Sequence, residues 1–338
     1  MPSNINVKLT ETDLFIYLNE IRPYLPNRIF DSHSHLCIND LHPNLESLIP
    51  LTKDPSLSNI DFDMLEHWWW MLFPDSQVSG LVIGFPTRGC NINGINSHLA
   101  QHITYPNRFS ILCGPDMDIR TLETQILEFG PAGLKPYMCF SRKTDPNSSS
   151  ICDMIPEVQI ALADKYHMAV TLHVAKPRGM ADPNNLADIA RLVKDYPKCN
   201  FILAHCGRCF ISPNMEVAMK HLPVAQNLWV DTSAVCDTGV FLSLLDSYDK
   251  TRIVFGTDLV TAAGFRGAYI RMGMSWDLVT AECMSRPGGQ NIHATFAAYE
   301  NLCALLRAAR FCKMNQTQLA DIFYNNAANL FQLEAESP

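Results

Sequence analysis

Short apolar runs rich in β-branched and aromatic residues recur along this chain, and stretches with helical spacing separate them. Eight such runs read as strands: Arg28–His35, Ser79–Pro86, Phe109–Pro115, Ala132–Tyr137, Ala169–Val174, Asn200–Gly207, Asn227–Ser233 and Arg252–Asp258. Helical spacing fills Ile119–Phe129, Met154–His167, Asn184–Asp195 and Val240–Tyr248, and an amphipathic segment, Glu11–Leu25, leads the first strand. Strand followed by helix, repeated eight times, predicts an α/β fold closed as a (β/α)8 TIM barrel with an N-terminal helix. A doubly wound open sheet would show the same alternation, but with a glycine-rich phosphate turn after its first strand. Here that position holds Asp31-Ser-His-Ser-His35.

Two stretches exceed what a minimal barrel needs: an insertion at 36–77 after the first strand and another at 260–291 after the eighth. Both follow strand ends, the face where barrel enzymes carry their sites. No linker, repeat or low-complexity tract beyond Ser148-Ser149-Ser150 divides the chain, so residues 1–338 read as one domain. Within the first insertion, Trp68, Trp69 and Trp70 are consecutive on a predicted helix and cannot share one face. The expectation is that some pack on the barrel and the rest on a second copy in a homodimer, with a substrate-facing tryptophan as the alternative.

Composition fits a globular protein with a sizeable core: 47% of residues are apolar and 18% charged. A formal net charge of -8 excludes a general attraction to nucleic acid or to an anionic membrane surface. The opening residues lack a basic segment followed by an apolar one, and no stretch is long and apolar enough to span a bilayer, so a cytoplasmic location is expected. The twelve cysteines lie scattered in hydrophobic segments, with Cys113, Cys139 and Cys206 inside predicted strands, and read as small buried hydrophobes. The one C-x-x-C, Cys206 to Cys209, has no second pair to complete a zinc site.

His33 and His35 are two apart on a strand, so both imidazoles face the same way, into the barrel mouth. H-x-H alone is a weak signal. His173 near the end of the fifth strand, His205 near the end of the sixth and Asp258 at the end of the eighth bring five metal-competent side chains to one rim. Nitrogen and carboxylate donors without thiolate suit one divalent ion, Zn²⁺ first, with Mn²⁺, Fe²⁺ or Ni²⁺ as alternatives. His167, His221 and His293 lie on helices or helix ends and read as hydrogen-bonded core residues. Asp31, two before the pair, reads as the carboxylate that fixes a histidine tautomer.

Taken together, Asp31-x-His33-x-His35, Gly133-Leu-Lys135 on the fourth strand, His173, His205, Gly256-Thr-Asp258 and the closing Ile322–Phe331 segment with its Asn-Ala-x-x-Leu-Phe form resemble the amidohydrolase superfamily. The branch is the one that includes aminocarboxymuconate semialdehyde decarboxylase-like enzymes, and the resemblance spans nearly the whole chain. It implies that His33, His35, His173 and Asp258 bind the metal, that Asp258 takes a proton, and that His205 polarises the substrate or ligates a second ion. In two-metal relatives a fourth-strand lysine is carboxylated and bridges the ions. Lys135 thus has three readings: that bridge, an ammonium facing an anionic substrate, or a structural group.

The loops after the strands are basic, with Arg88, Arg142, Lys143, Lys176, Arg178, Arg208, Arg266 and Arg271. In an acidic protein this points to a small anionic organic substrate, with Arg88, Arg178 and Arg208 as the groups that bind it. The function expected is hydrolysis of a small carboxylate-bearing amide, lactone or ester through a metal-activated water. Non-oxidative decarboxylation stands second, and a barrel that only binds its ligand stands third.

Overall fold

A computed structural model describes residues 9–43, 59–259, 269–272, 275–278 and 294–333. The strands are β1 (Arg28–Leu36), β2 (Gln77–Gly84), β3 (Arg108–Cys113), β4 (Gly133–Pro136), β5 (Ala169–Leu172), β6 (Asn200–Leu203), β7 (Leu228–Asp231) and β8 (Ile253–Val254). They pair in sequence order, all parallel. Hydrogen bonds from Ser32 N to Phe255 O, from Asp258 N to His33 O and from His35 N to Leu259 O join the chain around β8 back to β1, which turns the sheet into a barrel. A parallel sheet covered on both faces needs strands that are apolar throughout, and β4, β5 and β7 are buried at every position.

The outer helices show why the chain breaks where it does. Pro183–Asp195 starts with proline in its first turn, is capped by the Asp182 side chain accepting from Asn184 N, and buries Ile189, Leu192 and Val193 on one face. Ile119–Phe129 ends at Gly130, whose φ of 62° is the left-handed cap that glycine adopts without steric penalty. The leading segment is less regular than expected: α-helix over Glu11–Ile16, a π turn over Tyr17–Ile21 and a 3-10 turn over Arg22–Tyr24. The closing segment is likewise a π turn, Asp321–Asn325, followed by the helix Asn326–Leu330. Asn326 explains its place there, because its amide donates to both Lys250 O and Ile253 O and so holds the start of β8.

In the insertion after β1, residues 44–58 lie outside the described residues; the rest contributes the helix Phe62–Leu72. Its tryptophans divide as helical geometry requires. Trp68 and Trp69 are buried, Trp68 edge-on to Phe296, whereas Trp70 is 66% exposed. Of the second insertion, the backbone of an antiparallel pair, Tyr269–Met272 with Ser275–Leu278, is described, and the remainder, including Arg266 and His293, lies outside the described residues. Among the described residues no helix is long and apolar enough to cross a membrane.

Cys113 lies in β3, but Cys139 and Cys206 fall just past β4 and β6 rather than inside strands. Cys206 and Cys209 are both fully buried, as small hydrophobes would be. His167 and His221 do end helices, yet both are exposed and not core residues, because each falls where the last turn meets solvent.

Candidate metal centre

At the end of β1 the His33 and His35 rings stand 5.1 Å apart. Asp258, from the turn after β8, reaches between them, with Oδ1 3.2 Å from His35 Nε2 and 3.9 Å from His33 Nε2. One donor atom from each of these three buried residues fits within a 4.8 Å span, the spacing of a metal-binding cluster. Gly256 makes the approach feasible: a Cβ there would come within 2.9 Å of the His33 Cβ, so only glycine lets β8 lie this close.

Asp231, at the end of β7, organises the centre. Its carboxylate accepts from His33 Nδ1 at 2.8 Å, from His205 N at 2.8 Å, from Ser233 N at 3.0 Å and from the Ser233 hydroxyl. Since a carboxylate only accepts, His33 carries its proton on Nδ1 and turns the Nε2 lone pair into the mouth. The Ser233 hydroxyl gives its hydrogen to Asp231, so at 2.9 Å it accepts from His205 Nδ1, and His205 Nε2 also presents a lone pair. Burial raises the Asp231 carboxyl, but the His33 and His205 imidazoles and the hydroxyl outweigh it and hold the group below the usual carboxylate range. Asp258 is similar: burial pushes up, and His205, His35 and His33 pull the net shift down.

Sequence reasoning gave the tautomer-fixing role to Asp31, and the structure corrects this. The pairing of β1 with β2 is irregular between Asp31 and Ser34, so simple alternation does not carry Asp31 to the histidine side chains. Its carboxylate instead accepts from His33 N, Thr257 N, the Thr257 hydroxyl and Trp69 Nε1, tying β1 to the turn before Asp258 and to the helix Phe62–Leu72. Burial, opposed by those hydrogen bonds, leaves its pKa raised to about 6. Asp231 was overlooked in the sequence, although Trp229-Val-Asp-Thr-Ser233 ends a counted strand just as Asp258 follows one.

Lys135 is completely buried on β4, with Nζ 3.1 Å from His33 Nε2. Burial pushes its pKa down to about 8 against the pull of Asp231 and Asp258, and burial together with Lys135 pushes His33 to about 3. His205 stacks on His33 at 4.7 Å between centroids, and His173 meets His205 edge-on at 5.1 Å. Burial lowers both imidazoles below the ordinary histidine range, which favours their neutral forms. His173 is not part of the His33, His35, Asp258 cluster: its Nε2 is 3.4 Å from the Tyr137 hydroxyl, and its Nδ1 is buried without a hydrogen-bond partner.

Left-handed backbone clusters on this rim. Lys176, His205, Cys206, Gly207, Arg208, Ala234 and Asp258 all have φ between 50° and 72°, each shortly after one of β5 to β8. For non-glycine residues such conformations cost about 1–3 kcal/mol each and gather where side-chain placement demands them. Of the three arginines singled out, Arg208 is the one brought to the histidines. It is half-buried, donates to Val174 O at 3.1 Å, and its charge helps hold His173 and His205 low. Arg178 is exposed, and Arg88 lines a groove of about 700 Å³ with Asn91, Asp116 and Phe140 that none of the centre's histidines lines.

Residues 160–333, just over half of the chain, match the amidohydrolase family model, and this protein belongs to that family of metal-dependent enzymes. Among solved structures, a 2,6-dihydroxybenzoate decarboxylase complexed with 2,6-dihydroxybenzoate is similar over 91% of this chain and 100% of its own, at 15% identity and TM-score 0.57. A zinc-bound amidohydrolase from Burkholderia multivorans matches 90% of this chain and 99% of its own, at 11% identity and TM-score 0.56. A dihydroxybenzoic acid decarboxylase from Polaromonas sp. JS666, with manganese and 2-nitroresorcinol, matches 92% and 99%, at 14% identity and TM-score 0.54. At these identities the likeness is one of fold. No curated protein matches the chain.

Proposed function

We propose that this enzyme hydrolyses a small carboxylate-bearing amide, lactone or ester at a centre holding one divalent ion. The reading rests on one observation: the Asp258 carboxylate lies between the inward-facing nitrogens of His33 and His35, with His205 stacked on His33 beside them. The donor set fits an ion, since two imidazoles and a carboxylate brought within one small span, with no thiolate, are what Zn²⁺ or Mn²⁺ takes. His33, His35 and Asp258 would hold it, and the resemblance to the superfamily adds His173, which lies outside their cluster and beside His205, as the fourth ligand. Zinc is first choice, and the zinc and manganese named for the similar structures make both reasonable. An ion there would supply Lewis acidity and lower the pKa of water towards neutrality.

The protein's own groups do the rest. Asp258 accepts the proton of the attacking water and returns it to the leaving group. His205, its Nδ1 proton committed to Ser233, orients that water by accepting at Nε2. Asp231 keeps both histidines in the required tautomer. Lys135, in contact with His33, is the group that would bridge a second ion. Arg208 pairs with the substrate carboxylate, with Arg88 and Arg178 further out on the rim.

A second reading, decarboxylation of an aromatic acid, is favoured by the rings around the centre: Phe85 is 5.5 Å from His35, Tyr137 4.4 Å from His173 and Phe210 6.2 Å from His205. It is favoured also by the decarboxylases among the similar structures. A panel of carboxylate-bearing amides, lactones and esters, run beside hydroxybenzoic acids with CO₂ release monitored, separates the two. Turnover of the first group without CO₂ supports hydrolysis, and CO₂ release from the second with no hydrolysis of the first overturns it.

Removing a charge-assisted arginine contact costs about 1.5–3 kcal/mol. Arg208→Met is therefore expected to lower kcat/KM for the acid substrate by roughly ten- to a hundredfold, and to leave the rate on its methyl ester unchanged. Equal losses on both would remove Arg208 from substrate binding.

A further inference from the structure

Away from the barrel mouth, the helix Ile92–His102 carries a second pair of imidazoles. His98 and His102 are four residues apart and so share a helix face. Their rings stack with centroids 4.0 Å apart and 23° between planes. His102 Nδ1 lies 2.8 Å from the His98 carbonyl; the carbonyl only accepts, so Nδ1 bears the proton and the lone pair is on Nε2. His98 Nε2 is buried with no hydrogen-bond partner, a state that native polar atoms seldom keep without an unseen ligand or water. Burial and the neighbouring His102 hold His98 below the ordinary histidine pKa, against the pull of Asp61, which favours the unprotonated form that a metal ligand needs. Asp61 caps the neighbouring helix Phe62–Leu72 and places a carboxylate in electrostatic reach of His98. None of these three belongs to the clusters at the barrel mouth.

We propose that His98 and His102 form a second binding site for a divalent cation of the borderline class, Zn²⁺, Ni²⁺ or Cu²⁺. Imidazole suits these ions, and Zn–N distances of about 2.0–2.1 Å require the two nitrogens to stand roughly 3.3 Å apart. The two rings, one helical turn apart and with centroids 4.0 Å from each other, are already close to that spacing. With two protein donors, and water reaching the ion from the side of the exposed His102, the ion is held more weakly than at the mouth. Two ions per chain would then not by themselves mean a binuclear centre.

The test is calorimetric titration of chelator-stripped protein with Zn²⁺, using the full chain throughout. Wild type should show two classes of site, and a His33→Ala, His35→Ala variant should keep the weaker class. A His98→Gln, His102→Gln variant should bind at that class at least tenfold more weakly, with turnover of the zinc-loaded enzyme unchanged. The single variant His102→Gln, at an exposed position, guards against misfolding and should weaken the same class. Weaker-class binding that is unaltered in both the double and the single variant would overturn the proposal, as would a folded His33→Ala, His35→Ala variant that binds no zinc.

Discussion

Replacing Asp231 with asparagine is expected to cut turnover by roughly three to four orders of magnitude while the barrel stays folded. The carboxylate is fully buried and accepts from His33 Nδ1, His205 N, Ser233 N and the Ser233 hydroxyl. An amide of the same shape offers one accepting oxygen and a nitrogen that can only donate. Wherever that nitrogen faces His33, the imidazole must move its proton to Nε2, which removes the lone pair aimed at the metal position. Loss of such a supporting carboxylate typically costs about 10–100-fold in metal affinity. Saturating metal should therefore recover part of the loss but not all, because His205 loses its alignment through Ser233 as well. Ser233→Ala, which leaves the carboxylate in place, should cost far less. Wild-type turnover and metal affinity in Asp231→Asn would reduce Asp231 to a packing residue.

Asp258→Asn should lose turnover at the upper end of the 10²–10⁴ range associated with a general acid–base group. Here the defect should persist at any metal concentration, since the amide cannot take up the proton of the attacking water. The two variants thus separate by their response to added metal: partial recovery for Asp231→Asn and none for Asp258→Asn. Recovery of Asp258→Asn to within tenfold of wild type would leave Asp258 as a ligand without a proton-transfer role.

How much of this could be read from the chain differs from element to element. The strands were legible because a parallel barrel buries both faces, so each strand is a compact apolar run between polar turns. Their C-terminal limits were not: Asn200–Gly207 was read as one strand, yet β6 stops at Leu203 and the chain enters a left-handed turn from His205. Nothing in the residue types announces three non-glycine residues at positive φ. The histidines and Asp258 were visible because each sits at the end of a counted run, and strand ends in a barrel converge.

What the sequence could not show was how the polar groups pair. Asp31 and Asp231 are 200 positions apart, and both come near His33. A one-residue irregularity in β1 turns the first towards Thr257 and Trp69 and leaves the imidazole to the second. Local alternation cannot foresee an irregularity, and no spacing rule links β7 to β1. How the three arginines differ in place was hidden for a similar reason. All three follow strand ends, but only Arg208 folds back, towards Val174 O, because the turn it occupies is wound left-handed against the loop after β5. In that turn Gly207 lies so close to Met180 that a Cβ would fall 2.5 Å from the thioether sulfur. The tryptophans divided between barrel and surface by helical geometry alone, which was foreseeable, whereas the bond from Trp69 to Asp31 was not.

The most direct test of the centre is elemental analysis of the purified chain after gel filtration, which removes weakly held ions. The account predicts about one tightly bound divalent ion per chain in wild type, since histidines and a carboxylate make a nearly complete catalytic shell. In a His33→Ala, His35→Ala variant that keeps the wild-type circular dichroism spectrum, that ion should be gone. Wild type with no bound metal, or a folded variant that retains it undiminished, would contradict the account.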